Sequence, residues 1–176
     1  MADRDTLQLT VKSLFSWVFL SELDRTTLRD ATEFASYVTF EDGTGLDECN
    51  QLFHDTRTLA GGASEDLNLL ALQLAMFGGT ITFGFDIVKA ILFKNNSTTA
   101  GDDFKIGGSG SNAFSAPFDN DDDAKLWIPA NGHFQLMNPT LAGWDVGAGA
   151  YALRIQNSGP STNTYSIAIA GVLQSS

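Results

Sequence analysis

The residues that could do chemistry are few: one cysteine, two histidines and 21 carboxylates in a chain of 176 residues. Cys49 and His54 are close in the sequence and Asp55 follows His54, so a cysteine nucleophile, a base and an acid can be written together. Cys49 nevertheless lacks the local signatures of cysteine hydrolases, and neither a Gly-x-Ser-x-Gly elbow nor a His-Glu-x-x-His motif occurs. We therefore expect a protein that is not an enzyme.

The densest acidic segment, residues 119–123, is the candidate for a metal site. Asp119, Asp121 and Asp123 alternate as the first ligands of a calcium-binding loop do. The glycine expected in mid-loop is missing, because Ala and Lys follow Asp123, and Ala130 stands where the bidentate Glu would be. One Cys and two His are too few for a typical zinc site. We expect a solvated turn, with no metal and no cofactor.

The three tryptophans raise a different possibility, carbohydrate binding. Trp17, Trp127 and Trp144 could stack on sugar rings in a lectin-like module. Trp17 and Trp127 belong to apolar runs, so a place in the core is the favoured interpretation for those two. A carbohydrate-binding module for host attachment stays open as an alternative and requires exposed aromatic residues on one face.

The overall charge restricts the partners. Ten Lys and Arg against 21 Asp and Glu give a net charge of −11, whereas nucleic-acid binding needs a basic surface. No apolar segment approaches the roughly 18 residues of a membrane-spanning helix, and the first residues lack the pattern of a secretory signal. We expect a protein made in the cytoplasm, with no nucleic-acid and no membrane partner.

The elements that would position these side chains are mainly strands. Segment 87–93 is dense in β-branched and large apolar residues, and turn residues flank it. It predicts a central strand buried on both faces, interrupted by one charge at Lys89. Alternating apolar residues predict further strands over 6–11, 50–59 and 164–173. The last of these is bulky on one side and small on the other, which indicates a close-packed neighbour on the small side.

The chain between these strands is ambiguous. Segment 14–20 is densely apolar, and a strand and a short helix fit it equally well. The residues after it keep helical spacing, and Ser21 with Asp24 resembles a helix N-cap. The apolar residues with this spacing are Leu28, Ala31, Phe34, Ala35 and Val38. We therefore expect a short helix within 21–38, although its threonines are weak helix formers.

Two turn signals are clear in the remaining sequence. Asp42-Gly43-Thr44-Gly45 predicts a bend rather than a phosphate loop, because no βαβ unit follows it. Asn131-Gly132 is a signal for a two-residue β-hairpin.

These elements define the predicted fold class: mainly β, a single-domain β-sandwich over residues 1–176, jelly-roll-like in size, with at most one or two short helices. The N-terminal segment 1–20 could serve as an arm that packs on a neighbouring subunit, and an ordinary core strand is the alternative. The predicted interface residues are Leu7, Leu9, Val11, Leu14, Phe15 and Trp17.

A family resemblance rests on the order of several short motifs. Phe40-Glu41-Asp42-Gly43-Thr44-Gly45 is followed by Phe53-His54-Asp55-Thr56-Arg57, then Ser64-Glu65-Asp66-Leu67, and later by Gly143-Trp144 and the closing Tyr165-Ser166-Ile167-Ala168. Over nearly the whole chain this order resembles small structural proteins encoded by tailed phages and prophages. The resemblance implies a virion component and supplies no catalytic residues.

Within that class we expect a capsid decoration (cement) protein. Such a protein would form a homotrimer and bind the major capsid protein, burying apolar surface that a monomer exposes. Its place would be the virion, after synthesis in the host cytoplasm. A tail or baseplate protein is the alternative within the virion, and the carbohydrate-binding module is the alternative from another class.

Overall fold

The protein is a two-sheet sandwich from which a long hairpin extends. The structure is a computed structural model that describes residues 6–23, 26–76, 78–108 and 111–174. The strands are β1 (Leu9–Leu23), β2 (Thr26–Asp42), β3 (Glu48–Cys49), β4 (Gln51–Leu59), β5 (Ser64–Asn68), β6 (Leu72–Met76), β7 (Gly79–Phe83), β8 (Ile87–Asn95), β9 (Phe104–Ile106), β10 (Leu126–Ile128), β11 (His133–Met137), β12 (Trp144–Asp145), β13 (Ala152–Asn157) and β14 (Asn163–Val172). A 3-10 turn over Ala116–Phe118 is the one helical element of the described residues. The predicted fold class, a mainly β sandwich, is confirmed.

Two antiparallel sheets form the sandwich. The five-stranded sheet has the order β11–β8–β14–β4, with β12 also paired to β8, and the four-stranded sheet has the order β10–β9–β13–β5. Along the chain the strands pass repeatedly from one sheet to the other. β6 and β7 form a separate small hairpin near β4.

The core lies between the two sheets because alternate side chains of each strand point inward. Its centre is an aromatic cluster in which the ring of Tyr165 lies 5.0 Å from that of Phe93 and 5.4 Å from that of Phe104. The largest fully buried apolar side chains include Phe53, Phe85, Phe93, Phe104, Ile91, Ile106, Leu67 and Leu69. Segment 87–93 is an interior strand as predicted, although Leu92 is exposed on its outer face.

The prediction of a short helix within 21–38 is wrong, because β2 is a strand along its whole length. It pairs antiparallel with β1 from Leu9 opposite Phe40 to Leu23 opposite Thr26. Ser21, the proposed N-cap, belongs to β1, and Asp24, the acid expected at N3, lies outside the described residues. The threonines explain the result, since β-branched residues favour strands. The helical spacing arises because apolar residues occupy both faces of β2.

The turn at Asn131-Gly132 exists, but it does not form the predicted hairpin. Asn131 has a left-handed φ of 58°, and the N–H of Gly132 donates to the carbonyl of Pro129 at 2.8 Å. The strands on its two sides belong to different sheets: β10 pairs with β9, and β11 pairs with β8. The turn therefore carries the chain across the sandwich.

Candidate assembly surface

β1 and β2 form a two-stranded ribbon whose base packs on the outer face of the five-stranded sheet. Leu9, Val11, Val38 and Phe40 share one face of the ribbon. They pack against a cluster on the sheet whose members are Leu52, Ala90, Met137 and Ala170. The small side chains of β14 thus lie under a close-packed neighbour, as the bulky-and-small pattern of segment 164–173 predicted.

The ribbon crosses that sheet and continues past its edge. Near its start, Leu7 lines a groove with Leu52 of β4 and with Phe83. Further along, the Oγ of Ser13 accepts a hydrogen bond from the Nε2 of Gln135, on the edge strand β11, at 2.8 Å. From Ser13 the remaining ten residues of β1 extend roughly 30 Å further at about 3.3 Å per residue.

A buried lysine fixes the root of the ribbon. Lys89 is fully buried, and its Nζ donates to the carbonyl of Gly45 in the bend that follows β2. Glu48 closes the same bend by accepting a hydrogen bond from the N–H of Gly45 at 2.7 Å. Burial lowers the pKa of Lys89, and the nearby Cys49, Asp47 and Glu48 act in the opposite direction. The predicted bend at residues 42–45 therefore covers the buried ammonium of Lys89 and accepts its hydrogen bond.

Beyond Ser13 the ribbon is apolar and exposed on both faces. The large side chains concerned are Leu14, Phe15, Trp17, Val18, Phe19, Leu20, Leu28 and Phe34, and Tyr37 adjoins them opposite Lys12. Their exposed fractions run from 37% for Trp17 to 71% for Tyr37. A two-stranded ribbon is at best marginally stable alone in water. Burial of its apolar side chains against another surface would stabilise this part of the chain.

One face of the distal ribbon is aromatic. We define the aromatic face as Phe15, Trp17, Phe19, Leu28 and Phe34, which the strand register places on the side that packs on the sheet at the base. The rings of Phe15 and Trp17 lie 5.9 Å apart. The indole N–H of Trp17 donates to Asp30 at 3.2 Å, so the polar edge of the tryptophan is satisfied within the ribbon.

The exposed apolar area is large for a monomer surface. Nine large side chains exposed to this degree present on the order of 1,000 Å² over the two faces of the ribbon together, roughly 600 Å² of it on the face of Phe15 and Phe34. The largest apolar patch on a typical monomer is roughly 300–600 Å², and one partner of a standard interface buries about 800 Å². In addition, β1 pairs only with β2 among the described strands, so its other edge leaves backbone donors and acceptors open.

The six predicted interface residues divide into two groups. Leu7, Leu9 and Val11 are half-buried against the chain's own sheet, whereas Leu14, Phe15 and Trp17 are exposed beyond it. An intersubunit role for the second group stays a prediction. The sequence analysis missed the matching residues of β2, because it assigned Phe34 and Leu28 to a helix. In the structure Phe34 lies opposite Phe15 of the apolar segment 14–20, and Leu28 lies opposite Ser21.

Cys49 and His54 do not form a catalytic pair. Cys49 is fully buried with Phe40 and Ala90, whereas His54 is exposed on the outer face of the five-stranded sheet. Burial raises the pKa of the Cys49 thiol to about 11, with Lys89 opposing the rise and Asp42 adding to it. A thiol of this kind is a poor nucleophile at neutral pH.

The acidic segment 119–123 forms an exposed turn in which a carboxylate accepts a hydrogen bond from a backbone N–H of the same segment. Asp119, Asp121 and Asp123 are all exposed, and the carboxylate of Asp121 accepts the N–H of Asp123 at 2.9 Å. The intervening Asp122 accepts the hydroxyl of Ser115 at 2.8 Å. Within the described ranges no group of three potential metal ligands lies together.

The prediction that Trp17 and Trp127 lie in the core is wrong. Trp17 projects from the ribbon, and Trp127 is 61% exposed on the outer face of the four-stranded sheet. Trp144, by contrast, is half-buried against the core. Apolar neighbours in the sequence suggested burial, but in a strand such neighbours alternate between the two faces.

Comparison with known proteins adds no relative, because no protein-family model, curated protein or solved structure matches the chain. Among the described elements no helix is long and apolar enough to cross a membrane.

Proposed function

We propose that this protein is a non-enzymatic structural subunit of a phage virion that assembles with copies of itself through the β1–β2 ribbon. In particular, we propose a capsid decoration protein that binds the shell of the major capsid protein. The apolar ribbon is the observation that carries this proposal, since it exposes the area of a standard interface on a rigidly rooted element. The proposal of a virion location is supported by the order of short sequence motifs, which resembles that of small structural proteins of tailed phages.

The strand order supports the same class of protein. Numbered one to eight along the chain, β4, β5, β8, β9, β10, β11, β13 and β14 give sheets of order 6-3-8-1 and 5-4-7-2. We propose that this arrangement is a jelly roll, the order of two interleaved Greek keys. Viral capsid proteins and lectins both use jelly rolls, so the ribbon, and not the fold alone, favours assembly.

The first experiment measures the mass of the protein in solution and its co-sedimentation with empty phage heads. We expect a homotrimer that pellets with heads. The double variant Phe15→Ser with Phe34→Ser should be monomeric and remain in the supernatant, because it removes an opposed aromatic pair from the ribbon. Leu141→Ser is the matched control, since Leu141 is equally exposed at 61% but lies in a loop far along the chain.

The outcomes separate the parts of the proposal. A monomeric wild-type protein, or an oligomer that the double variant leaves intact, contradicts the assembly role. A ribbon-dependent oligomer that ignores heads retains the assembly role and moves the protein to the tail or baseplate.

Carbohydrate binding is the second candidate, favoured by the outer face of the four-stranded sheet. Trp127 lies opposite Lys105, Lys105 opposite Gln156, and Gln156 opposite Ser64, so one row of outward side chains crosses the sheet. Within the described residues no hydrogen bond engages the indole N–H of Trp127, the Lys105 ammonium or the Gln156 amide. An exposed indole beside open polar groups is a suitable surface for a sugar ring.

Affinity electrophoresis in gels containing soluble bacterial or plant polysaccharides tests this candidate. We expect retardation of the wild-type protein and of Trp17→Ala, and loss of retardation in Trp127→Ala. Equal mobility in every gel, or retardation that Trp127→Ala retains, would exclude the row as a sugar site.

A further inference from the structure

We infer that the aromatic face of the ribbon of one copy docks on the open part of the outer face of the five-stranded sheet of the next copy. The inference rests on the proposed self-assembly and deepens it by naming the receiving surface. The occupant is a second copy of this chain.

The receiving surface consists of two rows of outward side chains. The strand register gives the first row as His54, Ala168, Leu92 and Gln135, and the second as Thr56, Ser166, Lys94 and His133. A shallow groove follows most of these residues and is also lined by Leu74 and Ala75 of β6 and by Asp55, whose carboxylate is paired with Arg57 at 2.9 Å. Leu92 is 42% exposed at its centre. We call these two rows the open rows. The first row borders the chain's own ribbon, since Gln135 donates to Ser13, and Leu92 and Ala168 line a cavity with Val11.

The open rows continue a surface that already binds the ribbon. The next row along the same sheet is Leu52, Ala170, Ala90 and Met137, and the ribbon base covers it. The aromatic face and the ribbon base lie on one side of the same two strands. The base therefore shows how this side of the ribbon packs on this side of the sheet, and the distal ribbon presents the same side beyond the sheet edge.

The small size of the floor residues suits aromatic partners. Ala168 and Ser166 leave room above β14, and Leu92 offers an apolar contact between them and β11. Lys94 can place its ammonium over an aromatic ring of the incoming ribbon. These features match Phe15, Phe19 and Phe34 better than they match the polar loops of the sandwich.

Charge favours the same pairing over contact between two ribbons or two sheets. The open rows carry Lys94 and two histidines, and no Asp or Glu belongs to them. On the aromatic side of the described ribbon the register places one carboxylate, Asp30, and no base, whereas Glu22, Glu33 and Arg29 lie on the opposite side. Asp30 of one copy can therefore approach Lys94 of the next, a pairing of opposite charges that contact between two ribbons or between two sheets does not offer.

The contact joins two different surfaces, so each copy gives one ribbon and receives one. Such a heterologous contact closes into a ring when the rotation between copies permits. A closed ring of three copies fits the expected trimer and leaves no aromatic face of a ribbon uncovered.

A mixing experiment tests the inference. The ribbon variant carries Phe15→Ser and Phe34→Ser and keeps its open rows; the sheet variant carries Leu92→Glu and keeps its ribbon. Each alone should be monomeric by sedimentation velocity. Mixed in equal amounts, they should form a heterodimer at concentrations at which neither self-associates, because one intact ribbon meets one intact set of open rows. Ser166→Trp, which fills the groove without adding charge, serves as a second sheet variant, and circular dichroism establishes that each variant is folded.

The alternatives give different results. A sheet variant that still forms the wild-type oligomer overturns the docking site and leaves the proposed function intact. Two monomeric variants that do not combine also overturn it, since the ribbon then binds elsewhere. A ribbon variant that still assembles overturns the proposed function together with this inference.

Discussion

Lys89 illustrates how one residue reports a local irregularity of the fold. It interrupts the most apolar segment of the chain, and the register between β8 and β14 shifts at this position, pairing Ala170 with Ala90 but Gly171 with Val88. Lys89 is the extra residue of this β-bulge, which turns its side chain away from the core and under the bend at Gly45. A charge inside an apolar run therefore marked the bulge, although the sequence did not show what would cover it.

Replacing Lys89 should loosen the root of the ribbon. Lys89→Ala removes the hydrogen bond to Gly45 and the packing of the aliphatic stem, and we expect the free energy of unfolding to fall by about 1–3 kcal/mol. Urea denaturation at fixed protein concentration measures the change. Lys125→Ala, which removes an exposed lysine, should stay within roughly 0.5 kcal/mol of wild type. Equal effects of the two substitutions would contradict an anchoring role.

The buried thiol of Cys49 should make stability fall at alkaline pH. Its folded-state pKa of about 11 lies above the value of 9.0 for a solvated thiol in the unfolded chain, so the folded state holds the proton more tightly. Its contribution is complete below pH 9 and is lost as the pH rises to about 11. We expect Cys49→Ala to lose less stability than wild type over this interval, by on the order of 2 kcal/mol.

Thermal melts of both proteins from pH 8 to pH 11 check this expectation. Tyr165, whose pKa is raised by burial and by its hydrogen bond to Glu65, titrates in both proteins and cancels in the difference. Parallel pH curves would show that the thiol is not the cause.

At the scale of elements, the ribbon shows why some strands were predictable and others were not. Segment 87–93 is a short apolar run bounded by turn residues, and segment 164–173 alternates bulky and small residues, so both patterns are typical of a strand. In β2 apolar residues lie on both faces, at Leu28 and Phe34 on one and at Ala31 and Ala35 on the other. Such a pattern fits a helix as well as a strand. Only the register with β1 distinguishes them, and pairing between distant segments is not encoded in local periodicity.

Shortening the ribbon should leave the sandwich folded. Ser13 and Ser36 lie opposite each other, so residues 14–35 can be replaced by Asn-Gly, which forms a tight hairpin turn. Almost all described residues of this segment are exposed, and we expect a monomer with an unchanged far-ultraviolet spectrum apart from the lost strands. Collapse of the near-ultraviolet spectrum would show instead that the distal ribbon supports the core.

Gly171 should be intolerant of any side chain, because it lies where β14 passes the bulge. A Cβ at this position would come within 2.1 Å of the carbonyl oxygen of Ile87 and 3.0 Å of the Cα of Val88. We expect Gly171→Ala to destabilise the protein by more than 2 kcal/mol, roughly the cost of strong overpacking. Gly149→Ala is the control, since no atom approaches within 4 Å there. Chemical denaturation of the two variants compares them directly, and a tolerant Gly171→Ala would mean that the bulge rearranges.

At the scale of the molecule, assembly and stability should be linked. If the ribbon is completed by a neighbouring copy, the assembled state is favoured by mass action, and the melting temperature should rise with protein concentration. The shortened-ribbon protein should melt at the same temperature at every concentration. Calorimetry over a hundredfold range of concentration tests both, and a concentration-independent wild type would argue for a ribbon that binds a different partner.

The fixed root of the ribbon also has a consequence for the spacing between subunits, because the length of the ribbon would set that spacing. Lys89 and the row under the ribbon base fix where the ribbon leaves the sheet. If copies dock as we propose, the number of residues in β1 and β2 sets the distance to the neighbouring copy. Removing two residues from each strand would shorten that distance by roughly 6.6 Å and keep every side chain on its face, whereas removing one would exchange the faces. In the proposed assembly, the length of the β1–β2 ribbon would then determine the diameter of the ring and the spacing of the capsid lattice to which the ring can bind.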